Sequence, residues 1–143
     1  MRKRTLAREY ALKILYQAEI TRRGIKQSAE LFWTEREDQD KVIREFSDRL
    51  TSGTQENIQH IDEKITQYAT NWQIKRMAVI DRNVLRLGVF ELLFAPDIPP
   101  KVTINEAVDL AKKYGDLDSS KFVNGVLDKI HKSELQEKKP SSS

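Results

Sequence analysis

Two polar clusters carry residue types that do chemistry: Arg2, Lys3, Arg4 and Arg8 at the start of the chain, and Asp118, Ser119, Ser120, Lys121 and Phe122 near its end. The first is suited to phosphate. Guanidinium and ammonium groups hold phosphate oxygens without reading sequence, and Arg4 and Arg8 are four residues apart on one helix face, so a phosphate chain can span both. The placement opposes stability, because a helix N-terminus is partially positive and each cation there costs roughly 0.3–1 kcal/mol at low salt. A basic N-terminal run is as often a solvated, frayed end, and composition leaves the two readings level.

The second cluster is suited to base recognition. Free amides at a helix start attract anions, and Lys121 adds a full charge. Asp118 and Ser119 either cap the helix or reach a base edge, and Phe122 offers a face on which an unpaired base can stack for roughly 1–3 kcal/mol. An aromatic in the first turns of an amphipathic helix is more often core, so both readings stay open. Lys112 and Lys113 precede the turn and either extend such a path or merely solvate it. A third set, Asp81, Arg82, Arg86 and Glu91, interrupts an apolar stretch; Arg86 and Glu91 are expected to pair within the core and hold the helices in register.

These residues need helices to position them. Apolar residues recur at three- and four-residue spacing almost throughout, and strand-like alternation persists nowhere, so the fold class is all-α with about seven helices. A first helix over about Thr5 to Ile20 buries Ala7, Tyr10, Ala11, Ile14, Leu15 and Ala18, with Gly24 marking its end. A second holds Ala29, Leu31, Phe32 and Trp33. Thr34 to Lys41 reads as a connection, and a third helix carries Val42, Ile43, Phe46 and Leu50 until Gly53 stops it. A fourth carries Ile58, Ile61, Ile65, Tyr68 and Ala69, and Trp72 opens a short linker. Met77 to Phe94 is apolar nearly all round and should be the central helix. The Pro99-Pro100 pair delays the next helix to Thr103, where Thr103 and Glu106 form a capping-box pattern. Gly115 stops that helix. The last, capped by Asp118 or Ser119, buries Val123, Val126, Leu127 and Ile130, and its interior Gly125 suggests close approach of a neighbouring backbone.

Composition bounds the class. The chain has 143 residues, 38% hydrophobic and 33% charged, with net charge +3 and no cysteine. That fits one helical domain over 1–133 with a lysine- and serine-rich tail, 134–143, expected to be disordered. A disulfide framework and a thiolate metal site are excluded, and no secretory apolar run follows the basic start, so a cytoplasmic protein without membrane attachment is expected. Catalysis is poorly supported. His60 and His131 are the only histidines, neither has metal-site spacing, and there is no glycine-rich phosphate loop; no cofactor is expected.

Three segments, RTLAREYALKILY (Arg4 to Tyr16), IDRNVLRLGVFELLF (Ile80 to Phe94) and DIPPKVTINEAVDLAKKYGDLDSSKFVNGVLDKI (Asp97 to Ile130), resemble in order the motifs of the NusB family of bacterial transcription antitermination factors. The resemblance implies two packed three-helix bundles with one extra helix. It implies that the basic first helix and the turn before the last helix form one surface for single-stranded boxA RNA, with roles for Arg2, Lys3, Arg4, Arg8, Asp118, Ser119, Lys121 and Phe122. It also implies a protein partner, the small-subunit ribosomal protein NusE, met by the central helix and the exposed end of the first, with Tyr16, Ile20 and Asp81 as the contact. A larger complex with NusA, NusG and RNA polymerase would then suppress termination during ribosomal RNA transcription. Two alternatives stand beside it. One is the related RNA-binding domain found at the N-terminal part of some ribosomal RNA cytosine methyltransferases, although nothing after Ile130 could bind S-adenosylmethionine, so the free-standing form is expected. The other is a homodimeric scaffold, since some family members self-associate.

Overall fold

The computed structural model describes residues 2–36 and 40–136. Among these there are seven α-helices and no strand: α1 (Arg2–Thr21), α2 (Ile25–Thr34), α3 (Lys41–Glu56), α4 (Ile58–Tyr68), α5 (Val79–Phe94), α6 (Pro100–Tyr114) and α7 (Ser119–Ile130). A 3-10 turn, Ile74–Arg76, precedes α5, and a π-helical turn, His131–Gln136, follows α7. Helices α1, α2 and α3 pack mutually as one bundle and α5, α6 and α7 as a second, with α4, the extra helix, laid on α5 and α7. Helix α5 also packs on α1 and α3, so both bundles share it. Its composition accounts for this: ten of its residues, from Arg82 through Leu92 except Arg86, are buried, as expected of a helix apolar around most of its circumference.

Several boundaries differ from expectation. α3 runs through Gly53 to Glu56; the glycine is required because a Cβ there would fall inside the Phe90 ring of α5. α6 starts at Pro100 rather than Thr103, because proline at the first helical position gives up an N–H that has no partner anyway. Thr103 is therefore inside the helix, with its hydroxyl donating to Glu91 Oε1 (2.7 Å), and Glu106 receives the Thr5 hydroxyl (3.1 Å), so there is no capping box. The close helix approach predicted at Gly125 occurs at Gly88 instead. Gly125 is exposed with nothing around it, whereas a Cβ on Gly88 would overlap Leu127 Cδ1.

α1 ends at Thr21, with Arg22 in the left-handed region (φ 60°) and the Arg23 N–H donating back to the Ala18 carbonyl (3.1 Å). Gly24 is the N-cap of α2 rather than the terminator of α1. The π-helical turn carries the described chain beyond the expected boundary at 133: the Glu134 carboxylate accepts from the Tyr68 hydroxyl (2.6 Å) and Lys64 (3.1 Å) of α4. The rest of the proposed tail, 137–143, lies outside the described residues.

Candidate nucleic-acid interface

The turn between α6 and α7 is built by short-range bonds. α6 ends at Gly115, and the Asp116 N–H donates to Ser119 Oγ (3.0 Å), whose own proton goes to Asp116 Oδ1 (3.1 Å). Ser119 is thus buried and committed to the turn. Asp118 holds the N-cap position of α7, but its side chain makes no capping bond. Neither residue caps α7 by the expected side-chain bond, and the Asp118 carboxylate stays exposed. Phe122 lies one turn on. It is half-buried, packed against the core on one side, and meets Trp72 edge-on at 5.7 Å between centroids. Trp72 is 54% exposed. Beside the pair opens a cavity of about 260 Å³ lined by Trp72, Met77, Ala78, Asp81, Asp116, Asp118 and Phe122.

The electrostatics of the cavity are uneven. Asp81 Oδ1 is buried and accepts no hydrogen bond among the described residues. Burial pushes the Asp81 carboxyl above the ordinary aspartate range; the Ser119 hydroxyl opposes this in part, and the charge of Asp116 adds to it. Lys75 and Arg76, on the linker between Trp72 and Met77, and Lys121, next to Phe122 in the chain, are exposed and without an ion pair among the described residues. Lys113, by contrast, is taken up by Glu9 of α1 (3.0 and 3.1 Å), which also accepts from the Tyr114 hydroxyl (2.7 Å). Lys112 is exposed.

The basic end of α1 divides. Arg2, Lys3 and Arg4 are exposed, with Lys3 reaching Asp40 (3.0 Å) and the Arg4 guanidinium lying 4.4 Å from the Phe46 ring centroid. Arg8 is 2% exposed: its Nε and Nη2 donate to Glu91 (2.8 and 2.9 Å), and Nη1 lies 3.4 Å from Glu106. Arg4 and Arg8 do not offer a common face to phosphate, since Arg8 points into the core against α5 and α6. The turn is tied to α1 at Glu9, about 10 Å along the helix axis from Arg2. The structure therefore brings together Asp118, Ser119, Phe122 and Asp81, and sets Arg2, Lys3 and Arg4 further along the molecule.

The three residues expected at the protein contact are also spread. Tyr16 (38% exposed) lines a groove of about 650 Å³ between α1 and α2, together with Leu31, Phe32 and Ile80. Ile20 is 54% exposed at the end of α1. Asp81 instead lines the cavity beside Phe122. The expected Arg86–Glu91 pair does not form: positions five apart on a helix point about 140° away from each other. Glu91 takes Arg8, while Arg86 forms a two-bond pair with Asp62 (2.8 and 2.9 Å). Glu19 of α1 completes that network, accepting from Arg82, Asn83 and Arg86. Trp72, Lys75 and Arg76 were missed as site candidates. Their one sequence signal is a tryptophan and two cations in a short linker, and only the folded chain brings that linker against α7.

The model of the NusB family matches residues 5–132. The transcription antitermination protein NusB of Anaeromyxobacter dehalogenans (strain 2CP-1) is 47% identical over 128 residues, spanning 90% of this chain and 89% of its own. That of Thermodesulfovibrio yellowstonii is 43% identical over 142 residues, spanning 93% and 94%. Among solved structures, T. maritima NusB superposes with a TM-score of 0.85 at 44% identity, covering 91% of each chain. A chain from the crystal structure of antitermination factors NusB and NusE in complex with dsRNA superposes at 0.84 with 34% identity, covering 92% of this chain and 98% of that one.

Proposed function

The chain belongs to the NusB family, and on that premise we propose that it is an RNA-binding transcription antitermination factor that recognises single-stranded boxA-type RNA together with NusE. The observation that carries this reading is the α6–α7 turn, where a half-buried phenylalanine stands beside an exposed tryptophan and the segments that carry the two rings also carry the exposed cations Lys75, Arg76 and Lys121. Stacking on an aromatic favours unpaired bases, whereas a duplex hides their faces.

In this reading Phe122 and Asp118 meet a base, Lys121 meets phosphate, and Arg2, Lys3 and Arg4 extend the phosphate track along α1. Ser119 acts by fixing the turn. Arg8 acts as a positioning residue that fastens α1 to α5 and α6. Tyr16 and Ile20 supply the NusE contact from the exposed end of α1, with Asp81 at its border with the RNA. The assembled complex, with NusA, NusG and RNA polymerase, suppresses termination during ribosomal RNA synthesis in the cytoplasm. No described helix is long and apolar enough to cross a membrane. A homodimer burying the groove beside Tyr16 is the second reading, favoured by the exposed Tyr16, Ile20 and Leu31.

The test is binding of a fluorescent boxA-like RNA, a scrambled strand and a duplex, with and without NusE, across a salt series. Four neutralised phosphates give a slope of log affinity against log salt of about −3, at roughly −0.7 per contact. Preference for the boxA strand that tightens with NusE supports the reading. Equal weak binding to all three, indifferent to NusE, leaves the scaffold.

A further inference from the structure

Resting on the RNA-binding reading, we propose that the cavity beside Trp72 and Phe122 is a guanine pocket: one unpaired guanine enters it, stacks on Trp72, and donates its N1–H and N2–H to the Asp81 carboxylate. Three independent features carry this. The first is shape, since about 260 Å³ walled in part by two rings holds one base, and Trp72 is too exposed to be explained as core. The second is the unsatisfied Asp81 Oδ1, a buried acceptor whose neighbouring hydroxyl, that of Ser119, is committed to Asp116. Buried acceptors are nearly always satisfied, so an orphan at a cavity wall indicates a missing donor.

The third is the arrangement of charge. Asp81, Asp116 and Asp118 line the cavity, while Lys75 and Arg76 lie on the linker that supplies Trp72 and Met77, and Lys121 lies on α7 beside Phe122. The carboxylates that line the cavity repel phosphate, and the exposed cations on the two segments that carry the rings attract it, so the base goes in and the backbone stays out. An ionised carboxylate only accepts hydrogen bonds. Guanine is the base whose Watson–Crick edge presents two adjacent donors, matching a carboxylate in a two-bond pair. Uracil presents one donor between two acceptors, and adenine and cytosine each set their amine beside an acceptor nitrogen.

The experiment uses fluorescein-labelled twelve-residue oligouridylates carrying at the centre guanosine, inosine, adenosine or no replacement. Inosine lacks only the N2 amine. A Trp33→Phe background isolates Trp72 emission, since Trp33 is 3% exposed and bonded to Asp48. The guanosine strand should bind about tenfold more tightly than oligouridylate and quench Trp72, with inosine between them. Trp72→Ala should lose roughly 5- to 150-fold on the guanosine strand, Trp72→Phe should recover most of that, and Asp81→Asn should erase the preference for guanosine over inosine. Equal binding of all four strands with the same salt slope and unchanged Trp72 emission overturns the pocket and leaves the RNA reading standing. No binding of any strand at low salt overturns both. If Trp72 emission responds to NusE and not to any strand, the pocket belongs to the protein partner and the proposal fails.

Discussion

Replacing Arg8 separates a core role from a phosphate-binding role. In Arg8→Met the apolar stem is kept, but Glu91 loses two charge-assisted hydrogen bonds of 2.8 and 2.9 Å and keeps only the Thr103 hydroxyl at 2.7 Å. Glu91 is 2% exposed, so water cannot take the place of the guanidinium. Breaking a buried pair from one side costs about 3–5 kcal/mol. For a chain of this length each kcal/mol moves the midpoint by about 3–4 °C, so Arg8→Met should melt about 10–20 °C lower. The double variant Arg8→Met/Glu91→Leu removes both charges and should recover at least half of that loss, because the stranded carboxylate causes most of it. Circular dichroism melts and urea titrations of the wild type, both single variants and the double close the cycle. RNA binding is then measured at 10 °C, where every variant is folded. If Arg8→Met melts within about 1 kcal/mol of wild type but loses tenfold in RNA affinity, Arg8 is a phosphate ligand and its assignment to the core is wrong.

Three further outcomes are expected. Arg22→Gly relieves a left-handed residue at the end of α1 (φ 60°) and should raise stability by about 0.5–1 kcal/mol in urea; a loss would mean that the Arg22 side chain holds something in place. Gly53→Ala drives a methyl into the Phe90 ring and should cost about 1–3 kcal/mol or more; an unchanged urea midpoint would show that the α3–α5 contact is loose. The raised Asp81 carboxyl makes ionisation unfavourable in the folded state. Its cost is therefore absent well below the ordinary aspartate value of 3.8 and complete once pH passes the raised value. Asp81→Asn should be the more stable protein at pH 7, with the gap closing as pH falls, and a wild type that gains nothing on mild acidification relative to the variant contradicts this.

Periodicity located all seven helices because it reports which face of a helix is buried, and that survives ignorance of the partner. The Val123, Val126, Leu127 and Ile130 stripe of α7 and the central place of α5 were legible for this reason. What stayed hidden depends on the partner. A glycine inside a helix reads alike whether it is Gly53, with a ring against it, or Gly125, with nothing near it. Arg86 and Glu91 looked like a pair because both are charges in an apolar run, yet their counterions, Asp62 and Arg8, come from other helices. The site was half legible: Asp118 and Phe122 lie in a patterned turn, whereas Trp72 lies in a linker whose position depends on α4 and α5.

The order in which the chain leaves the ribosome gives the Arg8–Glu91 pair a further consequence. α1, α2 and α3 emerge first and can associate, but the carboxylate that neutralises Arg8 is 83 positions downstream, and the Phe90 ring that fills the notch at Gly53 arrives with it. Until α5 is made, the early bundle holds an arginine without its counterion and a gap without its filler. Nascent chains cut short before α5 should therefore be protease-sensitive, and closure of the whole molecule should follow the synthesis of α5 and α6 as a single late step.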